Sequence, residues 1–260
     1  MAITLLYHDI VPPGNDDFSG FAGPGAARYK LSPEEFQKHL QAITTVVPHG
    51  TATDDDRLLL TFDDGGASAW DIAELLEAHG WRGHFFITTN CIGKPTFLTA
   101  EQIRALHRRG HLLGSHSHTH PARMSSCSRE ELQHEWRTSC TTLADLLGEP
   151  VTTASVPGGF YSRAVAEAAA HAGIRLLFNS EPTMRWEEVN GCRIAGRYTV
   201  YRGMTAEAVA ALAAGRRAPQ LRQALSWNLK KLAKAVGGRA YLSLRQLLLA
   251  RAYAPSSLRG

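Results

Sequence analysis

Residues Arg57–Gly80 read RLLLTFDDGGASAWDIAELLEAHG, and the order of events within them sets the fold class. Arg57–Phe62 is a short, strongly apolar run, the pattern of a buried strand. It ends in two adjacent carboxylates, Asp63 and Asp64. Ser68–His79 follows with helical spacing and is closed by Gly80, the residue type that ends helices in the left-handed conformation. A strand, a polar turn and a helix make up the repeating unit of a parallel sheet or barrel.

The same unit recurs on both sides. Ile3–His8, Gly83–Thr88, His111–Ser115, Val151–Val156, Ile174–Phe178 and Cys192–Val200 read as strands. Ser32-Pro-Glu-Glu35 is a capping box with proline at the first helical position, opening a helix towards Ile43. Thr99 with Gln102, and Ser128 with Glu131, open two more helices, running to Arg109 and to Leu147 before Gly148. Ser162–Ala172 reads as a further helix. Polar residues gather just after the strands, at His8-Asp9, Asp63-Asp64, His116–His120 and Pro157-Gly158-Gly159, the end of a barrel where active sites are built. The Gly- and Pro-rich stretch from Pro12 to Tyr29 is long enough for a lid or a disordered flap.

Bulk properties narrow the classes. With 260 residues, 44% hydrophobic and 20% charged, the chain suits one sizeable α/β domain and excludes a disordered or fibrous protein. No apolar run approaches the roughly 18 residues of a membrane span. The opening MAITLLYHDIVPPG has neither a basic n-region nor a long apolar h-region, so a cytoplasmic protein is expected. Cys91, Cys127, Cys140 and Cys192 are scattered without a CxxC pair, which favours free thiols over a disulfide framework or a zinc–sulfur site. Charge is divided: residues 1–207 hold 18 Lys/Arg against 24 Asp/Glu, whereas residues 208–260 hold ten Lys/Arg and no acid. The domain expectation is a barrel over residues 1–205 and a basic amphipathic helical extension over residues 206–260.

Two segments carry chemistry. In TFDDG (Thr61–Gly65) two adjacent carboxylates repel each other and pack poorly, but make sense if one binds a cation and the other handles a proton. The alternative is a solvated loop start. In GSHSHTH (Gly114–His120), His116 and His120 are four apart, and in a helical turn such a pair shares one face and can bind one metal. A solvated histidine-rich loop is the rival reading. One Asp and two His would leave a coordination position open, as catalytic sites do.

Together these segments resemble the polysaccharide deacetylases (NodB homology, carbohydrate esterase family 4), over roughly residues 1–200. TFDDG matches that family's first motif, and His116-Ser-x-x-His120 followed by Pro121 matches its second. The resemblance implies an α/β fold, a distorted (β/α)7 TIM-like barrel here carrying the basic helical tail, and a divalent metal, usually Zn2+. It implies Asp63 as general base and Asp64, His116 and His120 as metal ligands, with His118 a neighbour. It further implies an oxyanion donor in the loop of Pro157, Gly158, Gly159 and Tyr161. Two departures follow. The family's Arg-x-Pro motif reads Ser155-Val-Pro157 here, which leaves Arg197 as a candidate to replace the arginine, the alternative being an Asp63 tuned differently. The late Leu-x-His acid has no counterpart, which makes His8 the candidate acid, with a hydrogen-bonded strand-end histidine as the alternative.

The expected activity is removal of an acetyl or formyl group from an amino sugar, small or lipid-linked, such as a nucleotide- or lipid-linked precursor of a surface glycan. The rivals are a metal-retaining glycan binder and an amidohydrolase of non-sugar amides. Trp136, Trp186 and Glu181 could face a sugar, though packing or loop roles are their default. Residues 219–253 repeat leucines at helical spacing among Lys and Arg, which suits packing on the acidic body or peripheral membrane contact. The tail lacks interleaved aromatics, so no nucleic-acid partner is expected.

Overall fold

The strand at the centre of the argument, β2 (Leu58–Phe62), lies between β1 (Ile3–Tyr7) and β3 (Gly83–Ile87), parallel to both. In the computed structural model, which describes residues 2–47 and 58–229, the sheet continues through β4 (Leu112–Ser115), β5 (Thr153–Ser155) and β6 (Leu176–Phe178), all parallel. The chain then forms β7 (Trp186–Val189), β8 (Cys192–Ala195) and β9 (Tyr198–Thr199). β8 pairs with β6 at one edge of the sheet, and β9 pairs with β1 at the other. One continuous stretch, residues 192–199, therefore touches both edges and closes the sheet on itself. β8 and β9 together form the seventh stave of a distorted (β/α)7 barrel, as expected.

The strand expected as one piece over Cys192–Val200 is thus divided at Gly196-Arg197, where it changes partners. β7 was not foreseen. It pairs antiparallel with β8 through Asn190 (φ 51°) and Gly191 (φ 77°). Positive φ at both central residues is the requirement of a tight hairpin that Asn-Gly meets well.

Helices cover the outside. α2 (Pro33–Val46), α4 (Ala100–Arg108) and α5 (Arg129–Leu147) each begin with a complete capping box, at Ser32/Glu35, Thr99/Gln102 and Ser128/Glu131. α5 ends at Gly148 in the left-handed conformation, φ 79°. α3 (Ala69–Ala78) and α6 (Arg163–His171) complete the body. α7 (Ala206–Ala213) packs on α2 and β1 with Val209, Ala210, Leu212 and Ala213 buried, so the first helix of the expected extension lies on the barrel. Residues 217–229 form one more helix. Arg57 and the tail residues 230–260, on which part of the strand and tail expectations rest, lie outside the described residues.

Strand alternation separates two interiors. Leu60, Phe62, Phe85 and Leu177 face outward into the apolar layer beneath the helices. There the Tyr7, Phe62 and Phe85 rings stack in series at 5.5 and 5.0 Å. Thr61, His84, Phe86, Thr153, Ser155 and Phe178 face inward, and this lumen is largely polar.

The Pro12–Tyr29 loop, expected as a lid or disordered flap, is held in place. The Lys30 ammonium, 2% exposed, donates to the carbonyl oxygens of Asp16, Ser19 and Phe21 at 2.5–2.6 Å. Ser19 Oγ donates to Asp9 Oδ1, Gly20 N to Thr96 O, and Arg202 pairs with Asp16. The loop includes a short helix, α1 (Pro24–Ala27), and forms a fixed wall of the cleft described below. Local composition suggests mobility; bonds to Lys30 and Arg202 at the far end of the loop and of the chain override it.

Candidate active site

Adjacent strand residues point to opposite faces, so two neighbouring carboxylates should not share a site. Thr61 and Asp63 face the lumen by alternation. Asp64 joins them because its backbone turns left-handed at φ 79°. Among the described residues only four others than glycine have positive φ: Asp64, Ser117, His120 and Asn190. Three of the four lie in this site, each costing about 1–3 kcal/mol that the surroundings must supply.

The GSHSHTH segment is not the helical turn that the i, i+4 spacing suggested. β4 ends at Ser115, and the chain bends through left-handed Ser117 (φ 64°) and His120 (φ 59°). These two turns, not helical periodicity, bring both imidazoles to Asp64. His116 Nε2 lies 3.3 Å and His120 Nε2 3.6 Å from Asp64 Oδ1. Four ligands about 2.1 Å from a tetrahedral zinc would be about 3.4 Å apart, close to these two separations, and all three donors lie within 4.8 Å of one another. His116 Nδ1 is engaged at 2.9 Å with the Ser155 carbonyl, which directs Nε2 towards Asp64. Asp64, His116 and His120 are the one group of three such donors found among the described residues. His118 turns away and meets Thr89 Oγ1 through Nδ1 at 2.9 Å.

Glu135 holds this bend. From α5 its carboxylate accepts the backbone N–H groups of His118 and Thr119 at 2.9 and 2.8 Å and the Thr119 hydroxyl at 2.5 Å. The sequence reading passed it over. Its signal was an acid on the buried stripe of α5, beside Leu132, Trp136, Ser139 and Leu143.

Asp63 is gripped by Arg197, from the point where the last stave changes partners. Nη1 and Nη2 reach Oδ1 and Oδ2, both at 2.8 Å. The same guanidinium donates to Thr61 Oγ1 (3.1 Å), Ser155 Oγ (2.6 Å) and Asn179 O (3.0 Å), and it sits 5.7 Å from the centre of each of the Phe86 and Phe178 rings. Arg197 is fully buried. Ser155 completes the clamp by donating to Asp63 Oδ2 at 2.9 Å. Ser155 and Arg197, the residue singled out in the sequence as the candidate to replace the missing arginine, thus hold Asp63 together.

Burial alone would raise the Asp63 carboxyl, but the Arg197 charge outweighs it and holds the group far below the ordinary carboxylate range. Asp64 is also lowered: burial opposes ionisation, and the His116 hydrogen bond and the charges of His8 and His116 overcome it. Burial and the neighbouring His116 bring His120 down to about 4, which keeps it neutral, as a metal ligand must be.

The site opens into a cleft of about 300 Å³ whose lining includes His8, Phe21, Tyr29, Asp64, His120 and Gly158. His8 stacks on Tyr29 at 4.9 Å, and its Nδ1 is buried without a hydrogen-bond partner among the described residues. In the Pro157–Tyr161 loop the N–H groups of Gly159, Phe160 and Tyr161 all donate within the loop. Gly158 (φ 59°) is the member that reaches the cleft. Tyr161 instead bonds Glu187 Oε1 on β7 at 2.5 Å. Trp136 is buried and donates to Val165 O, Trp186 lies under Arg193, and the Glu181 side chain is exposed, so none of these three lines the cleft.

Residues 50–177 match the polysaccharide deacetylase family. YxkH of Bacillus subtilis, provisionally named a polysaccharide deacetylase, is 26% identical over 126 residues, 48% of this chain and 45% of its own. The peptidoglycan-N-acetylglucosamine deacetylase PgdA of Listeria monocytogenes is 26% identical over 156 residues, 59% of this chain and 32% of its own. The chain thus spans about half or less of these relatives. The Streptococcus pyogenes deacetylase PplD, solved with acetate, superposes with a TM-score of 0.63 at 18% identity, covering 79% of this chain and 95% of that one, a likeness of fold. Residues 50–177, which hold both Asp63-Asp64 and His116–His120, thus resemble the polysaccharide deacetylase family, with Ser155 and Arg197 together holding Asp63.

Proposed function

We propose that this protein hydrolyses the N-acyl group, acetyl or formyl, of an amino sugar, using a divalent metal for which Zn2+ fits the donor set. The observation that carries the reading is the clamped Asp63 next to Asp64, which with His116 and His120 forms a group of three metal-binding donors lining one cleft. Asp64, His116 and His120 would hold the ion. Such an ion acidifies water and polarises a carbonyl.

The chain's own residues divide the remaining work. Asp63 Oδ2 receives two donors, from Arg197 and Ser155, whereas Oδ1 receives one from Arg197. Oδ1 keeps a lone pair and is the atom that takes the proton of the attacking water. Arg197 fixes the carboxylate in plane and ensures that it starts ionised. The Gly158 N–H is the donor offered to the developing oxyanion. His8, which lines the same cleft, hands a proton to the departing amine. The cleft volume accommodates roughly one acylated sugar unit. The carrier we favour is a nucleotide or lipid, which leaves one sugar to be presented at a time.

Purified protein with Zn2+ should release free amine from N-acetyl or N-formyl amino sugars, read with an amine-reactive fluorophore. Asp63→Asn should lower kcat by at least about a hundredfold, the usual scale for a positioned base. Release from none of the sugars, or equal release by Asp63→Asn, overturns the reading.

A further inference from the structure

The helix over residues 217–229 turns Gln220, Gln223, Ala224 and Trp227 towards the body and leaves a row of leucines in solvent. Gln223 Nε2 donates to the Thr199 carbonyl of β9 at 2.9 Å, and Gln220 Nε2 lies 3.7 Å from Met184 Sδ. Leu221, Leu225 and Leu229, spaced four apart on one face, are 60, 63 and 67% exposed. Three aligned and solvated leucines on a helix that already packs through its other side mark an interaction face. Arg216, Arg217 and Arg222 are exposed near the same stripe.

We propose that this face docks on an anionic lipid surface. Charge selects this occupant. Residues 208–260 contain ten Lys/Arg and no acid. A second copy meeting this stripe through the same face would oppose arginines to arginines. Residues 230–260, with seven more Lys/Arg, would bring further positive charge if they covered it. An anionic bilayer instead matches the arginines with headgroup charge while the leucines enter the acyl boundary. The stripe is built from residues outside the cleft, so docking stands or falls apart from the hydrolytic reading.

The test is co-sedimentation of the full chain with vesicles of phosphatidylcholine alone and of phosphatidylcholine with phosphatidylglycerol, at low and high salt. The unaltered protein should bind the phosphatidylglycerol vesicles and leave the neutral ones. The triple variant Leu221→Gln, Leu225→Gln, Leu229→Gln should bind at least about tenfold more weakly at both salt concentrations. Arg216→Gln, Arg217→Gln and Arg222→Gln should weaken binding by roughly fivefold per residue near the surface and flatten the salt dependence. Both variants should retain the wild-type circular dichroism, and the leucine variant should turn over a soluble acylated sugar at the wild-type rate. Loss of vesicle binding with that turnover intact concerns docking alone. Three results overturn the proposal: no binding of the wild type to anionic vesicles, equal binding by the leucine variant, or a wild-type dimer that the leucine variant converts to monomer.

Discussion

Replacing Arg197 with methionine is the sharpest test of how this site is assembled. The change removes donors to Asp63, Thr61, Ser155 and Asn179 while leaving a side chain that can still lie between Phe86 and Phe178. The Asp63 side chain retains 4% exposure, so water cannot substitute for the guanidinium. Deleting one partner of a buried ion pair costs about 3–5 kcal/mol, because the surviving charge is stranded. The sign with pH follows from Asp63. In the wild type its carboxyl is depressed, so the stability it contributes is complete above the ordinary carboxylate range and is lost as pH falls through that range towards the depressed value. In the variant burial is opposed only by His116, His8 and the Ser155 hydrogen bond, so the same group moves up from its depressed value and the gap between the two proteins should narrow as pH falls from neutrality towards about 4. Urea denaturation at several pH values, for the wild type, Arg197→Met, Asp63→Asn and the double variant, gives the coupling energy. We expect at least about 2 kcal/mol of coupling and partial recovery in the double variant. Additivity within about 0.5 kcal/mol, with a loss independent of pH, would refute the clamp.

Three further outcomes are expected. Burial, reinforced by the Arg197 charge, drives His84 down to about 3, so the unfolded chain binds its proton first as pH falls below about 6.5; denaturation should show His84→Gln relieved of about 2 kcal/mol of the stability that the wild type loses by pH 5. Alanine at Glu135 strips the acceptor from three donors of the metal-ligand bend, and should cost about 2–3 kcal/mol in denaturation and weaken Co2+ binding about 10–100-fold in a chelator competition. A Cβ at Gly196 would collide with the Glu181 carbonyl and stand 2.7 Å from that of Thr183, so Gly196→Ala should destabilise by about 1–3 kcal/mol and lower kcat by displacing Arg197.

Much of the fold was legible because its signals are local. Ser32, Thr99 and Ser128 cap helices with their own third neighbours, and no tertiary information is needed to see it. The apolar run before Asp63 and the residues gathered at the strand ends located the site for the same reason. What escaped depends on partners distant in sequence. That residues 192–199 serve both edges of the sheet is a property of closure, invisible within the segment. The Pro12–Tyr29 loop is ordered by Lys30 and Arg202, not by its own composition. The His116–His120 geometry comes from two left-handed residues that i, i+4 spacing does not reveal. The β7–β8 hairpin is different, since Asn190-Gly191 carried a readable turn signal that was missed.

The place of Arg197 in the chain also fixes the order in which the protein can be made. Asp63 and its clamp are 134 residues apart, and the clamp sits in the final stave. A ribosome that has delivered the first six staves has placed both TFDDG and GSHSHTH, yet the carboxylate still lacks its counter-charge. Burying it at that stage is unfavourable, so the nascent barrel stays open on the side that residues 192–199 later seal. Closure of the barrel and pairing of Asp63 with its counter-charge are one event, and a chain cut short of Arg197 gains neither.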